Sequence, residues 1–202
     1  MTTTSKKFID FEIQVLTSGF WPFQQNSPLN QFALPFELEH CVDRFTSFYN
    51  GLHSGRKLNW LFQLSKGELV TNGFKNRYIF QASTLQMAIL LQFNYSQCWT
   101  LAKLADSIQI DKELLIQALQ ILLKCKLLNF PAKSEIQNPE TEMLTDSTPI
   151  SLNEKYNNKK LKININLPMK TEQKNDMERT NMEIEQAREF QIQAAIGKKH
   201  MP

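Results

Sequence analysis

The side chains best suited to metal or nucleophilic chemistry in this 202-residue sequence are three histidines and three cysteines. His40, His53 and His200 are far apart, as are Cys41, Cys98 and Cys125. A structural zinc site is built from close pairs such as Cys-x-x-Cys or His-x-x-x-His, and neither occurs. His40 and Cys41 are adjacent, which on a helix turns their side chains about 100° apart. His53-Ser54 would hydrolyse a substrate only with a third orienting group and a set of oxyanion donors. The chain has no Gly-x-Ser-x-Gly elbow, no glycine-rich phosphate loop and no Gly-x-Gly-x-x-Gly. These residues point away from catalysis, and no metal or cofactor is expected. A binding or scaffold role remains.

The elements that would carry such a role are unevenly distributed. Of 21 aromatic residues, 19 precede position 131, and only Tyr156 and Phe190 follow. Most of the core is therefore expected in residues 1–130. The net charge of +3 arises there too, from 12 basic and 9 acidic residues, while the last 72 residues are neutral. A balance this close does not by itself imply a nucleic-acid or membrane partner. The longest uninterrupted apolar run, Met87 to Leu91, is far too short to span a bilayer. Three separated cysteines and no apolar leader suit a reducing compartment, so a cytoplasmic and nuclear location is expected.

Ile9, Phe11, Ile13 and Val15 alternate with polar residues, which predicts a strand with one buried face. Leu38, Val42, Phe45, Tyr49 and Leu52 form a helical stripe after Pro35, and full burial of each would contribute about 2 kcal/mol. Gly55 ends that helix. Leu58, Trp60, Phe62 and Leu64 alternate again and predict a second strand, with residues 68–71 pairing back on it. Asn72-Gly73 then signals a hairpin turn into a strand containing Tyr78 and Phe80.

Ser83-Thr-Leu-Gln86 is a capping box opening a helix. Thr100 caps a second helix with Leu101, Leu104 and Ile108 on one face, and Asp111 caps a third that runs to about Cys125. Strands follow at residues 126–130, 150–152 and 161–167. Residues 131–149 hold three prolines and no aromatic, and read as a long solvated loop. Three helices followed by strands and a polar loop is the order of a winged helix. Residues 176–196 read as a final amphipathic helix containing Met177, Ile184, Ala187, Ala194 and Ala195. The expected fold class is α+β. Residues 1–82 form a small mixed or antiparallel sheet with a helix, residues 83–170 a winged-helix domain, and residues 171–202 an outgoing helix and tail.

Winged helices often bind DNA through their third helix. Here that helix balances Lys112 and Lys124 against Asp111 and Glu113 and has no arginine to read guanine. Lys155, Lys159, Lys160 and Lys162, placed in the wing, could touch phosphate. A winged-helix nucleic-acid binder is therefore the alternative, and a packing or protein-binding module is preferred.

The segment Phe48-Tyr49-x-x-x-His53-Ser54-Gly55-Arg56-Lys57-Leu58-x-Trp60 resembles the signature of the cullin homology region. So do the stretches beginning Gln63-Leu-Ser-Lys-Gly-Glu-Leu-Val-Thr-Asn72 and Ser83-Thr-Leu-Gln-Met-Ala-Ile-Leu-Leu-Gln92. Leu119-Gln-Ile-Leu-Leu-Lys124 and Leu161-Lys-Ile-Asn-Ile-Asn-Leu-Pro-Met-Lys170 complete the set in the same order. Within the family the likeness is greatest to the scaffolds of F-box type ubiquitin ligases.

The resemblance implies a non-catalytic scaffold acting in ubiquitin-dependent protein catabolism. It also implies one partner, a zinc-binding RING-box protein that threads a strand into the cullin sheet. The contacts it suggests are Ile9, Phe11, Ile13, Val15, Leu58, Trp60 and Phe62. Ordinary core packing is the competing account of each. A structural role at the helix–sheet joint is the favoured reading for His53 to Lys57. Against the family pattern the sequence lacks the N-terminal repeats, so no substrate adaptor is expected, and it lacks the final winged helix. Lys198 and Lys199 lie outside that later domain, and no neddylation is expected at either. A non-functional truncated product is the remaining alternative.

Overall fold

A computed structural model describes residues 9–17, 31–130 and 145–167, together with Ile184, Glu185 and Arg188. In chain order its elements are α1 (Phe36–Leu52), a 3-10 turn (Phe62–Leu64), β1 (Lys66–Val70), β2 (Ile79–Ser83) and α2 (Thr84–Gln92). There follow β3 (Cys98–Thr100), α3 (Leu101–Ile108), α4 (Lys112–Lys124), β4 (Leu128–Asn129), β5 (Pro149–Leu152) and β6 (Lys162–Asn164). The fold class is α+β, as the alternation of patterns predicts.

Helix α1 starts directly after Pro35, whose carbonyl accepts from the N–H groups of Leu38 and Glu39 at 2.9 Å each. Glu37 and Glu39 sit in the first turn, where the helix dipole favours acids. The expected stripe is only partly covered. Val42 is buried, Leu38, Phe45 and Tyr49 are half-buried, and Leu52 is exposed. Gly55 has φ of +82°, a left-handed conformation that glycine adopts without strain, and it turns the chain out of the helix.

Two predicted strands do not form. Residues 9–17 belong to no strand among the described residues, and residues 58–64 pass into the 3-10 turn instead of a ladder. The reason lies in the aromatic side chains. Trp60 turns its indole onto α1, where Nε1 donates to Thr46 Oγ1 at 3.0 Å, and Thr46 in turn donates to the Val42 carbonyl at 2.8 Å. Alternation correctly marks a facing side, but the face is used against a helix. Strand β1 therefore pairs forward with β2, antiparallel in register Glu68↔Gln81, and not back on residues 58–64. Asn72-Gly73 lies within the longer connection 71–78 and makes no two-residue hairpin turn.

Strand β2 is central in the order β1-β2-β6. Tyr78, Phe80 and Ala82 are buried on one side, with Ile79 and Gln81 half-buried on the other, which gives the alternation its meaning. Phe74, Tyr78, Phe80 and Tyr156 form an aromatic corner, with ring centroids 5.2–6.4 Å apart. The third strand, β6, pairs with β2 in parallel, Phe80 opposite Ile163. Residues 162–164 thus return to the first sheet rather than extending the winged helix. Lys155, Lys159 and Lys160 lie on the connection leading there, not in a wing between adjacent strands.

The capping box is present. Ser83 Oγ accepts from the Gln86 N–H at 3.2 Å, and Gln86 Oε1 accepts from the Ser83 N–H at 3.0 Å. Helix α2 is buried from Thr84 to Leu90 and packs against β1, β2, α3 and α4.

With α2, the segments β3, α3, α4, β4 and β5 form a winged helix whose antiparallel sheet has the order β3-β5-β4. Strand β3 is three residues long and carries no pattern by which sequence alone would find it. Thr100 Oγ1 accepts from the Lys103 N–H at 3.4 Å, so the expected cap is made. Asp111 holds the N-cap position of α4 but makes no side-chain cap bond, and only its carbonyl accepts, from Leu115. Gln109, at φ 56°, turns the chain between α3 and α4. Leu104, Ile108, Leu115, Leu119, Leu122 and Leu128 are fully buried between these elements.

The connection between β4 and β5 includes residues 131–144, outside the described residues. Of the expected helix at 176–196, Ile184, Glu185 and Arg188 are described, and they are helical and exposed. Lys198 and Lys199 lie outside the described residues.

Candidate partner-binding surface

Three of the seven residues singled out from the sequence come together on α1. The Phe11 and Trp60 rings are 6.4 Å apart and tilted by 41°. Trp60 and Phe62 stack in parallel at 6.0 Å. Trp60 also meets Phe45 edge-on at 5.9 Å, and Phe62 meets Phe32 edge-on at 5.9 Å. Phe45 continues the cluster to Phe48 and Tyr49, and Tyr49 lies 4.6 Å from the His53 ring.

All of these rings except Phe48 are half-buried, and Phe48 is 60% exposed. They form a covered layer with one open side. Ile13 and Leu58 are half-buried but outside the ring contacts, while Ile9 and Val15 are exposed, at 42% and 49%. Phe32, Phe45 and Tyr49 belong to the cluster, although the sequence did not mark them as site residues. Their signal was available: α1 and the 58–62 segment each carry an apolar face, and each face needs a partner.

Backbone geometry adds a second feature. Residues 9–17 and 58–61 keep the alternating apolar character of strands yet join no sheet among the described residues. In the first sheet, β1-β2-β6, the edges are β1 and β6. An edge strand presents unpaired N–H and C=O groups that another strand can use.

The sheet's electrostatics are local. Glu68 on β1 accepts from Gln81 on β2 at 3.1 Å and pairs with Lys162 on β6, so one polar chain crosses all three strands. The hydrogen bond from Lys162, and then that from Gln81, holds the Glu68 carboxyl below the usual carboxylate range. Burial pushes the Cys125 thiol up, and burial likewise raises the Tyr156 phenol. Cys41 and Cys125 are half-buried, Cys98 is exposed, and all three are free thiols. His40 is exposed on α1. Among the described residues no three His, Cys, Asp or Glu side chains are grouped to hold a metal ion. Arg56 and Lys57 are exposed and form no ion pair among the described residues, while Gly55 serves the turn.

A small mixed sheet, an aromatic-backed helix and a winged helix together define an α+β unit. The Cullin alpha+beta domain matches residues 15–156, most of the chain, and the chain belongs to the cullin family. It is 40% identical to Cullin-1 of Dictyostelium discoideum over 93% of its length, and 35% identical to Cullin-1 of Schizosaccharomyces pombe, also over 93%. To Cullin-1 of Caenorhabditis elegans it is 31% identical over 95%. In each case it spans 24% of the relative's length, about a quarter.

Proposed function

We propose that this chain serves as the part of a cullin scaffold that holds a RING-box protein, within a ubiquitin ligase of the F-box type in the cytosol and nucleus. Its role is to position another protein, not to catalyse. The observation that carries this reading is the pair of segments 9–17 and 58–61. They present apolar side chains at strand spacing, meet each other through Phe11 and Trp60, with Trp60 lying on Phe45 of α1, and join no sheet among the described residues. A strand supplied by a partner would gain backbone hydrogen bonds there and bury alternate side chains. Ile9, Phe11, Ile13, Val15, Leu58, Trp60 and Phe62 are the proposed contacts. Membership of the cullin family supports the same partner class.

The test is co-expression of this chain with an affinity-tagged RING-box protein. The two should co-purify, and Phe11→Ala combined with Ile13→Asp should abolish recovery. Failure of the unmodified chain to co-purify would end the proposal. The winged-helix topology also raises nucleic acid, but the exposed charges of α4, Lys112 and Lys124 against Glu113, leave that helix near neutral.

A further inference from the structure

The sequence holds two Asn-Gly pairs, Asn50-Gly51 and Asn72-Gly73, and the structure gives them opposite surroundings. This dipeptide can react with itself. The glycine amide nitrogen gives up its proton to solvent base and attacks the side-chain carbonyl carbon of the asparagine. A C–N bond forms there and closes a five-membered imide, while the bond to the side-chain nitrogen breaks and ammonia leaves with a proton from water. Water then opens the imide. Opening at the side-chain carbonyl gives Asp, and opening at the main-chain carbonyl gives isoaspartate, whose main chain runs through Cβ. Glycine favours the closure because no Cβ crowds its nitrogen and its backbone turns freely.

Exposure does not separate the two pairs. All four residues are exposed, and no other segment lies within 4 Å of where a Cβ on either glycine would stand. The backbone separates them. Asn50 and Gly51 lie within α1, so the Gly51 N–H belongs to the helical ladder. The ladder continues past it, since the His53 N–H donates to the Tyr49 carbonyl at 3.0 Å. A nitrogen held in this way cannot swing toward the Asn50 side chain. The negative end of the helix dipole also disfavours the anion that this nitrogen must become.

Asn72 and Gly73 lie outside helix and strand, on the connection 71–78. The base of this connection is pinned. The Thr71 N–H donates to the Tyr78 carbonyl at 2.9 Å, and the Tyr78 N–H donates to Thr71 Oγ1 at 3.2 Å. Its tip is not pinned. Among the described residues neither the Asn72 side chain nor the Gly73 N–H makes a hydrogen bond. We infer that Asn72-Gly73 is a site of spontaneous deamidation in the folded protein, while α1 protects Asn50-Gly51. Each event replaces a neutral amide by a carboxylate and lowers the chain's net charge of +3 by one. The isoaspartyl product adds an atom to the main chain between the Thr71 pin and Phe74, whose ring lies 6.0 Å from Tyr78 and 5.4 Å from Tyr156. It also creates a carboxylate of the class that isoaspartyl methyltransferases esterify with S-adenosylmethionine.

The test is ageing of the full chain in warm, mildly alkaline buffer. Peptide mass spectrometry reads both pairs, and methyl transfer from labelled S-adenosylmethionine by an isoaspartyl methyltransferase counts isoaspartate. In the folded chain Asn72 should deamidate at least about tenfold faster than Asn50, because only Asn50 needs local opening first. In urea above the unfolding midpoint the two rates should agree within about threefold, since both pairs are then open. Gly73 has no positive φ and has room for a methyl group, so Gly73→Ala fits the connection. It should slow the reaction at Asn72 at least about tenfold by crowding the nitrogen. If that variant fails to fold by circular dichroism, the comparison of the two pairs in the unmodified chain still decides. Equal rates at Asn50 and Asn72 in the folded chain overturn the inference. So does an Asn72 that stays intact while a free Thr-Asn-Gly-Phe peptide reacts in the same buffer.

Discussion

The Gln86 side chain donates to the Ile165 carbonyl at 2.9 Å, tying the first turn of α2 to the chain just past β6 across 79 residues of sequence. Gln86 is 2% exposed and also closes the capping box with Ser83, so one amide satisfies two backbone groups. Gln86→Leu keeps much of the volume but removes the bond to Ile165 and the acceptor for the Ser83 N–H. A loss of about 2–4 kcal/mol is expected, because buried backbone groups are left without partners. Urea denaturation checks it: the midpoint should fall with little change in slope.

The Trp60–Thr46 bond makes a separate prediction about the α1 layer. Thr46→Val removes the acceptor for the indole N–H while preserving shape, and should cost about 1 kcal/mol, since the site is only half-buried. Trp60→Ala removes the ring that contacts Phe11, Phe45 and Phe62, and should cost about 2–3 kcal/mol. Thermal denaturation of both variants orders these effects. Equal losses would mean that the hydrogen bond, and not the ring packing, holds Trp60 in place.

Local signals were legible where a short-range pattern has one physical solution. Ser83 with Gln86 could only be a helix start, and Leu101, Leu104 and Ile108 could only share a helix face. Tyr78 and Phe80 alternate because β2 is covered on one side. Partner choice was not local. The period-two pattern at Leu58, Trp60 and Phe62 specifies a face but not what lies against it, and α1 lies there. Residues 161–167 read as a strand, yet nothing in their order says that β6 would run parallel to β2 rather than beside β5. Strand β3 is too short to carry a pattern. At the surface, Phe11, Trp60 and Phe62 meet through ring contacts, although the strands that their alternation predicts do not form among the described residues. Phe45 and Tyr49 were legible as part of an apolar helical stripe, but which segment covers that stripe was not, because it comes from packing between separate segments.

Acid should act on the sheet through Glu68. Its carboxyl titrates below the usual range because Lys162 and Gln81 hydrogen-bond the ionised form. The unfolded chain therefore takes up a proton at this group first as pH falls. The stabilisation is present above the ordinary carboxylate pKa and is lost as pH falls through the lowered folded value. The pair is exposed, so the effect is small and should shrink with added salt. Lys162→Ala should move the Glu68 titration upward in a side-chain carboxyl NMR experiment. An unmoved midpoint would show that the pair is not formed in solution.

Base should act through Cys125, and the direction is opposite. Burial raises its thiol pKa, so the unfolded chain loses that proton first as pH rises. The contribution is intact below the ordinary thiol pKa and is lost as pH rises through the raised folded value. The thiolate is the reactive form, so Cys125 should also alkylate slowly in the folded protein. Cys98, exposed on β3, should react first. Timed iodoacetamide labelling at pH 8 with peptide mass spectrometry reads the order directly. Adding urea above the unfolding midpoint should bring Cys125 up to the rate of Cys98, because unfolding removes the burial that separates them. Equal rates in the folded chain would contradict the burial of Cys125.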